Sequence, residues 1–185
     1  MWASIVLAAL VQGGDPCAGR GTVLLVQVRQ RVMSTCARGL RTGAYRVSMG
    51  QGGIGKQRAG DNKLPLGRYA LGQPRASRGW HLFIPIGYPT AVQRKAGYTG
   101  SAVGIHGPPR CCQGPTITDT DWTYGCLALG TDKELDQIAA WVKLERDAMI
   151  LIEDEWSAAQ QGNSTDKGQA LPRASPLPRA GELKR

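Results

Sequence analysis

Three β-rich runs follow one another closely near the start of the chain: "TVLLVQVR" (22–29), "RVMSTC" (31–36) and "LRTGAYRVSMG" (40–50). A tight break separates the first two, and "ARG" (37–39) supplies a turn before the third. They read as a meander of three short antiparallel strands, the first nearly continuous in apolar residues before polar ones alternate in. A chain that opens this way is committed to a mostly β fold. The 25 glycines and 11 prolines fit a turn-rich domain of many short strands, and 185 residues suffice for one domain with short extensions. Phe83 is the sole phenylalanine, so Trp, Tyr, Leu, Ile and Val must fill the core.

Further strands are expected at "RYALGQ" (68–73), "HLFIPIGYP" (81–89), "AVGIHG" (102–107) and "AMILIE" (148–153), and "CLALG" (126–130) reads as a short apolar element. The secure helix is 132–146. "TDKE" (131–134) forms a capping box at its start, and Leu135, Ile138, Ala139 and Val142 recur at helical spacing. Two loops stand out. "QGGIGKQRAGDNKLPLG" (51–67) is glycine-rich and too polar for a core. Its "GGIGK" lacks the spacing and the following Ser/Thr of a phosphate loop, so it reads as a plain turn-rich loop. "PPRCCQGPTITDTDWTYG" (108–125) is long, and long loops in compact domains often carry function. From Trp156 onward the chain turns polar, proline-bearing and aperiodic, and 156–185 reads as a disordered tail.

The formal net charge is +9, which raises the question of a polyanionic partner. No recognition helix, zinc-finger spacing or aromatic-basic signature supports nucleic acid, so that partner is set aside. Residues 1–19 begin with an apolar run, "MWASIVLAALVQGG", of signal-core length. The run lacks a positive n-region and is too short to span a bilayer as a helix; it is either an export signal with a misplaced start or a buried first strand. The five cysteines (17, 36, 111, 112 and 126) suit an exported protein with one reactive thiol and up to two bridges. The neighbours Cys111 and Cys112 cannot easily bridge each other, and either could pair with Cys17 or Cys36. The sequence leaves connectivity and oligomeric state open.

Only two histidines exist, His81 and His106. His81, at a strand start, reads as structural. His106 ends an apolar strand before Gly107, and Cys126 follows Gly125 twenty residues later. A thiol is a weak nucleophile until deprotonated, and an imidazole brought beside it is a common activator. By type and spacing alone a lone cysteine and a lone histidine in a β domain are more often structural than catalytic. Zinc ligation by His106, Cys111, Cys112 and Cys126 is disfavoured, since adjacent cysteines depart from ordinary ligand spacing. Asp119 and Asp121 read as solvated loop acids, and Trp122 as a packing residue or a substrate platform.

Taken in order, "VLLVQVRQRVMSTCARGLRTGAYRVSMG", "AGDNKLPLGRYAL", "LFIPIGYPT", "IHG" and "DWTYGCLAL" resemble the catalytic core of the L,D-transpeptidase (YkuD-type) family over about residues 22–153. The resemblance implies a β-sandwich or meander catalytic domain at 20–155, with one clear helix after the cysteine. It implies Cys126 as acyl-accepting nucleophile and His106 as its base, with the Gly107 carbonyl orienting the imidazole and Gly125 shaping an oxyanion site. Trp122, Thr123, Tyr124 and Arg110 are then candidate substrate contacts, with Lys56 and Arg58 as further receivers of substrate carboxylates. It implies no metal and no other cofactor. The partner would be a peptidoglycan stem peptide, met in the periplasm or cell wall. Two positions depart from the common signature: Tyr124 stands where histidine is usual, and Ala128 where a polar residue is usual. The sequence form is that of a divergent branch. Transfer to an amine, hydrolysis by the same pair, or an inactive wall-binding module therefore all stay open.

Overall fold

The computed structural model describes residues 14–111 and 120–154. Most of the expected export segment, and the whole polar tail, lie outside the described residues. The opening meander is present as β1 (Val23–Gln27), β2 (Val32–Ala37) and β3 (Leu40–Ser48), antiparallel in register Leu25↔Ser34 and Met33↔Tyr45. It is followed by β4 (Gly67–Ala70), β5 (Arg75–Ser77), β6 (His81–Pro85), α1 (Ala91–Lys95), β7 (Gly104–His106), β8 (Leu127–Leu129), α2 (Asp132–Leu144) and β9 (Met149–Glu153). The sheet runs in the order β4-β9-β1-β2-β3-β8-β7-β6-β5. Two pairs in it are parallel, β1 with β9 and β7 with β8.

The apolar run in β1 has a direct structural cause. Leu24 and Val26 enter the main core, while Val23 and Leu25 face a second, smaller cluster with Cys17 and Cys36. A strand buried on both faces cannot alternate polar with apolar residues. β9 lies parallel beside it, setting Ile150 against Leu24 and Ile152 against Val26. Cys17 and Cys36 form a disulfide with Cα atoms 5.4 Å apart, pinning the segment before β1 onto β2. This is the connectivity that the sequence left open.

The sheet curls. A bridge between Leu71 and Ile86 ties the end of β4 to the end of β6, with Gly72 N–H donating to Pro85 O at 2.7 Å and Gly87 N–H to Ala70 O at 2.9 Å. α2 packs against β6 and β8 and buries Leu135, Ile138, Ala139 and Val142. Each large apolar side chain so buried contributes on the order of 2 kcal/mol. The capping box is formed: Glu134 N–H donates to Thr131 Oγ1 at 3.2 Å, and Thr131 N–H to Glu134 Oε2 at 3.0 Å.

α1 and β5 are additions to the sequence reading. α1 starts with its own capping box, between Thr90 and Gln93, but buries none of its five residues, so no apolar period announces it. The loop 51–67 is also more than a polar connection. Leu64 is fully buried in the main core and Lys56 is 5% exposed.

Candidate active site

The segment before β8 is held from below. Asp121 takes both guanidinium nitrogens of Arg31, at 2.6 and 2.9 Å, and accepts the Met49 N–H at 2.9 Å. It is therefore a tether to the meander rather than a solvated acid. Thr123 exchanges backbone hydrogen bonds with Met49 and Gln51 at 3.0 and 2.9 Å. Its hydroxyl then closes the turn, accepting from Gly125 N–H at 3.2 Å and donating to Cys126 O at 2.7 Å. Gly125 has φ +116°, and a Cβ there would stand 2.6 Å from the Lys63 carbonyl oxygen. Only glycine fits both the backbone conformation and the contact.

The glycine-rich loop behind this turn is organised by one carboxylate. Asp61 accepts from Lys56 Nζ at 2.7 Å and from the backbone N–H groups of Gln57, Arg58 and Lys63 at 2.8, 2.9 and 3.1 Å. Burial pulls its pKa upward, but the lysine and the three N–H donors outweigh burial and hold it well below the ordinary aspartate range. Lys56 Nζ in turn would lie 3.8 Å from a Cβ on Gly125. A buried ion pair thus backs the turn that presents Cys126.

β7 and β8 bring the histidine and the cysteine together. Their parallel register pairs Ile105 with Leu127 and His106 with Ala128. Cys126, two residues before Ala128, therefore lies on the same face as His106. Strand geometry puts their Cα atoms on the order of 8 Å apart. Both line one cleft of about 840 Å³, together with Trp80, Phe83, Trp122, Tyr124 and residues of β5. Thr123 also lines it.

His106 is 3% exposed. Its Nδ1 lies 2.8 Å from Gly107 O, and a carbonyl can only accept, so Nδ1 carries the proton and Nε2 keeps its lone pair. Burial pushes the imidazole pKa down, and the Gly107 bond only partly opposes this. Trp80 stacks over the ring at 4.3 Å between centroids, and Trp122 meets it edge-on at 5.7 Å. The Cys126 Sγ lies 3.6 Å from Ala102 O. Burial raises the thiol's pKa, against a hydrogen bond from the Gly104 backbone and the charge of Lys56.

Other sequence candidates sit elsewhere. Arg110 binds Asp132 Oδ2 at 2.6 Å, over a shallower depression beside Trp80, and does not line the main cleft. Neither Lys56 nor Arg58 lines it. Gly107 packs against α2, where a Cβ would meet Asp132 Oδ1 at 3.1 Å. His81 Nε2 pairs with Asp136 Oδ1 at 2.8 Å. Ala128 is buried within β8, 1% exposed, so the usual polar residue has no place at that position. Sequence reasoning passed over Trp80, Arg75 and Arg78. A tryptophan directly before a strand, in a chain with five, was the available signal for the first.

The family model of the L,D-transpeptidase catalytic domain, YkuD, matches residues 21–153. The chain belongs to this family. It is 33% identical over 102 residues to YafK of Escherichia coli K12, a protein named provisionally as an L,D-transpeptidase; the match takes in 54% of this chain and 36% of YafK. Among solved structures it is similar to the helical cell shape determining protein Pgp2 of Campylobacter jejuni. That match has TM-score 0.61 and 21% identity, covering 71% of this chain and 47% of Pgp2. Bd1075 of Bdellovibrio bacteriovorus gives TM-score 0.53 and 22% identity, again with 71% and 47% covered. These likenesses show the YkuD fold. The chain spans about a third of YafK and about half of each of the two solved proteins.

Proposed function

We propose that this chain catalyses acyl transfer on peptidoglycan stem peptides, with Cys126 as nucleophile and His106 as general base, the catalytic unit being residues 20–155. The observation that carries the reading is the shared cleft. A buried imidazole has Nδ1 tied to Gly107 O and its other nitrogen free to take a proton, on the same sheet face as the Cys126 thiol.

Cys126 Sγ bonds to the carbonyl carbon of the stem's third residue while its proton passes to His106 Nε2. The tetrahedral oxyanion takes hydrogen bonds from backbone N–H groups at 124 and 126, because that of Gly125 is already given to Thr123. The C–N bond to the terminal D-alanine breaks, and its amine leaves with the proton from His106. A thioester is left on Cys126. An amine of another stem then attacks, surrenders a proton to His106 and releases the thiol. Water in place of the amine makes the same site a hydrolase. Tyr124, 77% exposed and lining the cleft, occupies the position that differs from the common signature. The site of action is placed outside the cytoplasmic membrane, a reading supported by the Cys17–Cys36 disulfide, since such bonds persist in oxidising compartments. Among the described residues no helix is long and apolar enough to cross a membrane.

Incubation with tetrapeptide-bearing wall fragments, followed by mass analysis, tests this. Cross-linked dimers with free D-alanine are the expected products; tripeptides without dimers would assign hydrolysis. Cys126→Ala is expected to abolish both. A variant that kept full activity would overturn the mechanism.

A further inference from the structure

The charge lining the cleft is one-sided. Among its described lining residues there is no carboxylate, and Arg75 and Arg78 are the two with a fixed charge. Both come from the terminal strand of the sheet, β5, and the turn after it. Arg75 Cζ lies 5.2 Å from the centroid of Phe83, itself a cleft residue. Stacking on an apolar ring holds a guanidinium plane while leaving its N–H edges for an incoming anion. Among the described residues neither arginine is paired with an acid, whereas Arg110 is held by Asp132 and Lys56 by Asp61. Unpaired guanidinium groups beside apolar walls focus the field into the cleft and match a carboxylate in two-pronged geometry.

We propose that Arg75 and Arg78 form a carboxylate-recognition subsite, selecting donor peptides that carry a free carboxylate close to the bond Cys126 attacks. This rests on the acyl-transfer reading above. It also redirects the search for such a subsite from Arg110, Lys56 and Arg58 to the β5 wall. The subsite acts before chemistry, by binding and orienting the donor, so its loss falls on KM more than on kcat.

Two measurements on the full chain test it, and only one needs the wall reaction. In the first, alkylation of Cys126 by iodoacetate and by neutral iodoacetamide is followed by peptide mass analysis. The Arg75→Gln/Arg78→Gln protein is expected to lower the iodoacetate-to-iodoacetamide rate ratio at least about threefold, because the anion loses its attraction. Arg75→Lys/Arg78→Lys is expected to keep most of the ratio. A ratio unmoved by the glutamine pair would overturn the proposal. In the second, release of the terminal residue is compared for a tetrapeptide with free carboxylates, which yields D-alanine, and one with its side-chain and α-carboxylates amidated, which yields D-alaninamide. The unaltered protein is expected to prefer the free form in kcat/KM by about tenfold or more. The glutamine pair is expected to erase that preference, and persistent preference in that variant would overturn the subsite. If neither peptide releases its terminal residue, the acyl-transfer reading fails, and the alkylation ratio still judges the arginines.

Discussion

Burial bears on His106 and Cys126 with opposite signs of pKa shift and one result. It lowers the imidazole and raises the thiol, so both charged forms are disfavoured. At neutral pH the pair rests as thiol and neutral imidazole, so under the proposed mechanism proton transfer accompanies attack. The rate of Cys126 alkylation by iodoacetamide is therefore expected to keep climbing through the ordinary thiol value near 9.0. A plateau already reached below pH 6 would show a preformed thiolate–imidazolium pair and contradict this. Under the proposed mechanism the acid limb of turnover is expected below the ordinary histidine value of 6.5, since a lowered pKa keeps the His106 imidazole unprotonated to lower pH. Trp80 supplies much of the cover on the ring. Trp80→Ala should move the His106 midpoint, followed by NMR titration, back up toward 6.5 and carry the acid limb with it. An unmoved midpoint would assign the desolvation to other neighbours.

At the scale of elements, the turn presenting Cys126 is only as firm as the loop behind it. Removing the Asp61 charge leaves Lys56 buried and uncompensated, and Asp61→Asn is expected to cost about 3 kcal/mol in denaturant unfolding. The sign of the pH dependence follows from the depressed carboxyl. Its contribution is in place above the ordinary aspartate value of 3.8 and is lost as pH falls through the lower folded one. An unfolding midpoint equal to that of the parent protein would show that the clamp adds nothing. α2 illustrates what a sequence can reveal, because Thr131–Glu134 and its apolar period state the same answer twice. α1 has an equally good capping box but five residues and no buried face, so only half the signal exists. β5 is harder still: Arg75 and Ala76 are exposed, and the strand forms because β6 offers it an edge.

Across the whole molecule, the disulfide is the clearest long-range staple. Its loss through Cys17→Ala/Cys36→Ala frees a loop of 19 residues' separation and is expected to lower stability by about 3 kcal/mol. Thermal unfolding with and without reductant checks this, and identical midpoints would argue against it. Long range is also what hid part of the cleft. His106 and Cys126 were visible through the ordered run of motifs that resembles the family, whereas Trp80 and the two arginines reach the cleft through the β5–β6 hairpin, a pairing no local pattern encodes. The parallel pairing of β7 with β8 has a different kind of consequence. Antiparallel neighbours need only a tight turn, but parallel ones require a long return path, here residues 107–126. The spacing between His106 and Cys126 is then set by strand register and not by the chain that joins them. Evolution, or an engineer, is free to lengthen or rewrite the stretch of that path between Arg110 and Asp121 as an interchangeable cartridge, because Gly107 at one end and Asp121, Thr123 and Gly125 at the other hold His106 and Cys126 in place.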